Sequence, residues 1–266
     1  GQGGNGGSGG SIGPGNGEDG IVIIRYYSPT SGGDVIPVDT SGLEIYLDAS
    51  LTSSYPGSGS TWFDITGNGH DLSLINSPTF SSTDGGNIGF VGSSSQYGDF
   101  GTKSIISNPF SFQMWVNWKS VDFANKHTYL FSMGYNTNDS YLFHRNTSSP
   151  ETYSLITVNG GGSIVAQPIT SSSPVAGTWS MVTVTKDSSG NYEIYLDATS
   201  IGTLTSVTNV GSGLTYSIGY AVPRNPAYAT FNYLNADLGN FALYNRELTS
   251  GEVTSNFNAT KTRFGL

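Results

Sequence analysis

The run Trp179-Ser180-Met181-Val182-Thr183-Val184-Thr185-Lys186, then Asp187-Ser188-Ser189-Gly190-Asn191, then Tyr192-Glu193-Ile194-Tyr195-Leu196-Asp197, constrains the fold more than any other stretch. Its first arm is apolar and β-branched, and its middle carries turn chemistry. The second arm alternates Tyr192, Ile194 and Leu196 with polar or half-polar neighbours, so the whole predicts a β-hairpin. Period two gives each arm a face of large side chains that needs a second sheet to cover it.

Other segments repeat the rhythm. Leu43 to Ala49, Ile88 to Val91, Tyr129-Leu130-Phe131, Tyr141-Leu142-Phe143 and Tyr153 to Val158 are short strand candidates punctuated by Gly, Pro and Asn-Gly turns. In Phe110 to Trp118, residues Phe110, Phe112, Met114 and Val116 share one face while Trp115 lies on the other, so this strand is expected either to be covered on both sides or to expose an aromatic strip. One helix is expected near the C-terminus, where Thr249-Ser250-Gly251-Glu252 forms a capping-box pattern and Val253 and Phe257 recur at helical spacing. The expected fold class is all-β, a two-sheet antiparallel jelly-roll sandwich with one short C-terminal helix. Two inner faces of this kind supply a core without disulfides.

The chain opens differently. Eleven of its first twenty residues are glycine. Gly1-Gln2-Gly3-Gly4-Asn5-Gly6 has the spacing of a dinucleotide-binding loop, but no strand precedes it and no helix pattern follows, so the match carries no nucleotide reading. Gly20-Ile21-Val22-Ile23-Ile24-Arg25-Tyr26-Tyr27 is a β-prone strand, apolar on both faces, that is expected to pair with other copies or with upstream sequence. Ser28 to Pro37 has linker composition. The expected organisation is therefore residues 1–37, a glycine-rich segment with a short strand and linker, and residues 38–266, the sandwich. A start at Gly1 suggests a fragment or processed product.

Only 11% of residues are charged and the net charge is −9, with ten basic residues scattered along the chain. No basic footprint for nucleic acid exists, and no apolar run is long enough to insert into a membrane. The chain has no cysteine, which excludes disulfides and thiolate chemistry.

Several motifs carry a resemblance. Tyr46-Leu47-Asp48-Ala49-Ser50, Tyr55-Pro56-Gly57-Ser58-Gly59, Trp62-Phe63-Asp64-Ile65-Thr66-Gly67-Asn68-Gly69 and Gly89-Phe90-Val91-Gly92 come in the order seen in laminin-G-like, concanavalin-A-like jelly-roll domains of bacteriophage and marine-virus structural proteins. Leu243-Tyr244-Asn245-Arg246-Glu247-Leu248 resembles the family's closing strand, and the hairpin's Tyr195-Leu196-Asp197 resembles its Tyr-x-Asp-Gly turn, with Ala198 in the place of glycine. The glycine-rich opening followed by Gly-Ile-Val-Ile-Ile-Arg-Tyr looks like the end of a glycine-rich tail-fibre module. The resemblance covers residues 43–266 and implies a jelly roll used by lectins, glucanases and adhesion modules alike.

For an enzyme, the laminarinase-like relatives carry a Glu-x-Asp-x-x-Glu strand, and no such spacing occurs here. Glu44 with Asp48 and Glu193 with Asp197 each share a strand face by period two, and are read as strand-end or loop-capping carboxylates. His70, His127 and His144 sit in no catalytic or ligand frame, so no catalytic residues are expected. Calcium is a cofactor the resemblance implies, with Asp48, Asp64 and Asn68 as oxygen donors; Asx turns held by Asp64 and Asn68 are the alternative. The closing strand has Gly239-Asn240 with Asp237 displaced, where relatives carry an acidic pair.

For binding, the stretch Tyr220 to Tyr233 supplies stacking rings in Tyr220, Tyr228 and Tyr233, and hydroxyl-reading groups in Arg224 and Asn225. Packing in an oligomer, or burial of Tyr233 in the core, are the other readings of that stretch. The sequence thus points to a non-enzymatic phage fibre or virion-surface protein, a homo-oligomer with a trimer favoured, whose partners are host-surface carbohydrate and other virion or fibre proteins. A secreted lectin or extracellular filament subunit is the alternative, with a polysaccharide-degrading jelly roll behind it.

Overall fold

The computed structural model describes residues 35–106, 109–119, 127–134, 140–146, 152–158, 164–169, 173–205, 213–220 and 231–266, in places by backbone alone. They belong to one compact unit, Asp34–Leu266; residues 1–33, with the glycine-rich segment and the strand expected at 21–27, lie outside the described residues. In chain order the strands are β1 (Leu43–Asp48), β2 (Thr61–Trp62), β3 (Leu72–Ile75), β4 (Thr79–Ser81), β5 (Asn87–Phe90), β6 (Tyr97–Lys103), β7 (Phe110–Trp118), β8 (His127–Met133) and β9 (Ser140–Asn146). They continue with β10 (Thr152–Val158), β11 (Ile164–Ile169), β12 (Trp179–Lys186), β13 (Tyr192–Leu196), β14 (Thr199–Leu204), β15 (Leu214–Ile218), β16 (Phe231–Asn232) and β17 (Ala236–Tyr244). A helix, α1 (Ser250–Thr260), and a 3-10 turn at Lys261–Phe264 close the chain.

These strands form two sheets. The first runs β14-β13-β12-β7-β17-β5-β4, with β1 also on β17; the second runs β11-β10-β9-β8-β15-β6-β3-β2, with β16 parallel to β8. The other neighbours are antiparallel, as the hairpin pattern requires: β12 and β13 pair from Val182 with Leu196 to Lys186 with Tyr192. This is the expected all-β two-sheet sandwich with one short C-terminal helix.

The core lies between the sheets. Ile45, Leu47, Phe112, Met114, Val116, Val182, Val184, Ile194, Phe241 and Leu243 of the first sheet meet Leu72, Leu74, Leu130, Phe131, Met133, Tyr216 and Ile218 of the second. Phe131 is the pivot across the gap, with ring centroids 4.9 Å from Phe112 and 5.0 Å from Phe241. Aromatic pairs at such spacing add to the area they bury.

The first sheet is covered a second time on its other face. Alternation along β7 and β12 sends Trp115, Trp179 and Met181 away from the inter-sheet core into a cluster with Tyr46, Tyr244, Leu248, Val253 and Phe264. Phe264 lies 4.3 Å from Trp115 and 4.7 Å from Trp179 by ring centroids. Gly239 of β17 leaves room for it, since a Cβ there would come within 2.6 Å of the Phe264 ring. Of the two alternatives for Phe110 to Trp118, the strand is therefore covered on both sides.

The cover is pinned at both ends. Thr249 and Glu252 make the reciprocal capping box at the start of α1, and Arg246 bridges Glu252 and Asp39. At the far end Arg263 donates to the Asp48 carboxylate and to the carbonyls of Asp84, Gly86 and Gly239. Asp48 is almost wholly buried. Removing the guanidinium leaves that carboxylate without its cation, and Arg263→Ala is expected to cost about 3 kcal/mol in urea unfolding.

The β13–β14 turn has two central residues, Asp197 (φ 50°) and Ala198 (φ 62°), flanked by the Leu196–Thr199 pair. Both sit where the twist of a two-residue hairpin demands positive φ. Asp197 is held by the bond its carboxylate accepts from the Met181 amide at 2.7 Å, whereas Ala198 sets its backbone strain against only partial packing of one methyl on the Trp115 cluster. Ala198→Gly is expected to stabilise the domain by about 0.5–1 kcal/mol, read as a higher denaturation midpoint with unchanged slope.

Candidate functional site

Two groups of residues stand out chemically: the loop after β2, and a set of tyrosines on the second sheet. In the loop, one carboxylate sets the geometry. Asp64 Oδ1 accepts from the amides of Tyr46 (3.0 Å) and Thr66 (3.1 Å), and its Oδ2 accepts from the His70 amide (3.1 Å) and the Thr66 hydroxyl (2.8 Å). Asn68 donates its amide to the Glu44 carbonyl at 3.0 Å. Asp48 accepts from the Ser50 amide (2.9 Å), the Ser50 hydroxyl (2.7 Å) and Tyr46 Oη (3.0 Å), besides Arg263.

Of the two readings of Asp48, Asp64 and Asn68, these bonds favour the turn-holding one over a calcium set. A hard cation needs carboxylate oxygens with free lone pairs aimed at one point. Here every carboxylate oxygen already accepts at least one N–H or O–H donor, a guanidinium among them, and Asn68 turns its NH2 group to the backbone. The residues present do not fit the ion. Among the described residues no three His, Asp or Glu side chains are grouped to hold a metal.

The tyrosines come together through topology. β6 pairs with β15, with Asp99 opposite Ser217 and Gly98 opposite Ile218. Gly98 faces the core, where a Cβ would meet Leu72 at 2.6 Å, so its neighbours Tyr97 and Asp99 face away. Gln96 fixes the entry to β6: it is buried, accepts from the Val91 amide at 2.7 Å and donates to the carbonyls of Asn76 and Ser77.

Tyr220 follows β15 across Gly219, whose φ of 80° turns the chain. The hydroxyls of Ser132 and Ser217, 2.6 Å apart, both reach the Tyr220 carbonyl, at 3.1 and 2.6 Å. Tyr233 is placed by its neighbour Leu234, which is buried in the core and whose amide donates to the Gly219 carbonyl. Tyr220 and Tyr233 stack at 4.2 Å with 13° between their planes. Tyr97 leans on both, at 5.5 and 6.0 Å.

Tyr220 is nearly buried, while Tyr97, Asp99 and Tyr233 are half-buried. Burial first, then the Asp99 carboxylate and Tyr233, push the Tyr97 hydroxyl above the usual phenol range. The structure thus brings together Tyr220 and Tyr233 of the predicted sugar-binding set and adds Tyr97 and Asp99. Arg224, Asn225 and Tyr228 lie outside the described residues. Tyr97-Gly98-Asp99 could have been flagged as a ring and a carboxylate on one strand face, but nothing in the sequence ties β6 to β15.

The remaining acids are committed locally. Glu44 accepts from Asn245, Glu193 accepts from Tyr195 Oη at 2.7 Å, and Asp197 accepts from the Met181 amide. His70 is half-buried, and desolvation, then Lys103, lower its imidazole. The side chains of His127 and His144 lie outside the described residues.

A family model described as the concanavalin A-like lectin/glucanases superfamily matches residues 92–254. The chain belongs to this superfamily. No curated protein sequence matches it. The superfamily fold is also seen in the solved structures it resembles. Domain 4 of AbnA, an extracellular arabinanase from Geobacillus stearothermophilus solved with arabinotriose, superposes with a TM-score of 0.57 at 14% identity, over 82% of this chain and 99% of that one. The binding domain of Paraclostridial Mosquitocidal Protein 1 gives a TM-score of 0.63 at 13% identity, over 82% of this chain and 52% of that one. The binding domain of Botulinum Neurotoxin DC, solved in complex with SialylT, gives 0.60 at 14% identity, again over 82% and 52%. This chain therefore spans nearly all of the arabinanase domain and about half of each toxin domain.

Because protein donors already engage every carboxylate oxygen of Asp48 and Asp64, adding millimolar calcium or EDTA is expected to move the thermal midpoint by less than about 1 °C, since only a ligand of the folded state stabilises it. A rise of several degrees with calcium would show that the loop reorganises around the ion.

Proposed function

We propose that the chain is a non-enzymatic glycan-binding protein of a phage fibre or virion surface, and that its sandwich recognises host-surface carbohydrate. The observation that carries the reading is the tyrosine platform of Tyr97, Tyr220 and Tyr233, with Asp99 beside it, on the second sheet of a lectin-type sandwich. Sugar C–H faces stack on such rings, and adjacent polar groups read the hydroxyls. The platform is held by strands and by the Ser132–Ser217 pair, so little ordering would be lost on binding.

Support comes from two further directions. An arabinanase domain with a bound arabinotriose and a toxin binding domain solved with SialylT share the fold, which makes carbohydrate a natural occupant. The glycine-rich opening and the following Ile21 to Tyr27 segment favour a fibre, assembled as a homotrimer alongside other virion proteins. Against catalysis, each acid of the Glu44–Asp48 and Glu193–Asp197 pairs holds a partner within the fold, which suits anchoring rather than a nucleophile and acid poised over a glycosidic bond.

The test is a glycan array with the intact chain, followed by calorimetry on the hits. Binding is expected, and Tyr97→Ala and Tyr233→Ala are each expected to weaken it about tenfold. Light scattering on the same sample should return three chains. No bound glycan, or hits that neither substitution weakens, would overturn the glycan reading; a monomer mass would remove the fibre assembly.

A further inference from the structure

Asp99 is the most unusual group at the platform. It stands two residues from Tyr97 on the same face of β6, between Ser73 of β3 and Ser217 of β15. Its Oδ1 accepts from the Gly101 amide at 2.7 Å, and among the described residues its Oδ2 has no partner. The carboxylate is thus oriented through one oxygen and offers the other beside the ring. Two residues along a strand span about 6.7 Å, which brings a hydroxyl of a sugar lying on the Tyr97 ring within reach of Oδ2.

Charge decides what that sugar can be. Among the described residues, Asp99 is the one charged group whose field acts on Tyr97, and no described lysine or arginine offsets it there. A carboxylate accepts two hydroxyl donors well and repels another anion, at a site where half-burial weakens solvent screening. The net charge of −9 adds repulsion at longer range. A cationic occupant is disfavoured by ring geometry: Tyr220 and Tyr233 lie face to face at 4.2 Å, so no cage opens between them to enclose an ammonium group.

We propose that Asp99 is a specificity-determining residue that accepts a pair of sugar hydroxyls and restricts the tyrosine platform to uncharged glycans, rejecting uronic-acid, sialic-acid and sulfated ones. This rests on the glycan reading above, and it names the substrate class of that site.

The experiment measures binding of the intact chain at low ionic strength to neutral arabinan, galactomannan and β-glucan, to anionic polygalacturonate and alginate, and to cationic chitosan. It compares the native protein with Tyr97→Ala, Asp99→Asn and Asp99→Ala. Asp99→Asn keeps an acceptor for the Gly101 amide, and its thermal midpoint checks the fold. The native protein is expected to bind at least one neutral polysaccharide tenfold or more above both anionic ones. Asp99→Asn is expected to shrink that ratio about tenfold, and Asp99→Ala to weaken neutral binding. Equal binding of neutral and anionic polymers, or an unchanged ratio in Asp99→Asn while Tyr97→Ala abolishes binding, would overturn the role of Asp99 and leave the glycan reading standing. A salt-sensitive preference for chitosan by tenfold would overturn it in favour of a cationic sugar. Failure of every probe to bind would overturn both readings together.

Discussion

Strand β7 is apolar on both faces, and a strand of that kind has to be covered twice. One face, with Phe112, Met114 and Val116, closes against the second sheet through Phe131. The other presents Trp115, whose indole N–H needs a partner once buried and finds the Thr260 hydroxyl at 2.9 Å. Position and length of the C-terminal cover follow from this requirement: α1 brings Thr260 and Phe257 over the indole, and the following turn delivers Phe264. Burying a polar atom on that face also imposes a register on the helix, since a one-residue shift would strand the indole without an acceptor.

The same logic separates the two ends of the molecule's chemistry. Asp48, Asp64 and Asn68 look like ligands in sequence because oxygen-bearing side chains on loops are what ions and sugars use. In the fold Asp64 and Asn68 hold the passage from β2 to β3 against β1, and Asp48 ties the end of β1 to Ser50 and Arg263. The tyrosines on the second sheet are different. Their rings pack on one another rather than into the inter-sheet core, and their supports are serine hydroxyls and backbone amides. A rigid, half-exposed aromatic surface of this type is where a ligand gains contact without first ordering the protein.

Much of the architecture was legible because it is local. Period-two alternation marked Val182, Val184 and Ile194 as core, and the Thr249–Glu252 box announced the helix. The missing glycine at Ala198 was visible as a departure from a turn that needs positive φ at that position. What sequence could not show was long-range. Arg263 reaches Asp48 across 215 residues, and that contact, invisible in either segment, is what removes Asp48 from a ligand role. Tyr97 lies on β6 and Tyr220 just beyond β15, strands that pair only in the folded sheet, so their joint placement has no sequence signature.

Arg263 also imposes an order of events during synthesis. Both sheets, including β17 of the first, can pair before α1 exists, yet the Trp115 and Trp179 face stays open until Phe264 has left the ribosome with Arg263 beside it. For that interval the nascent domain is a finished sandwich with an oily flank, a species prone to capture by its neighbours. On a polysome, where several copies grow side by side, the turn that carries Arg263 and Phe264 therefore acts as the seal over that flank.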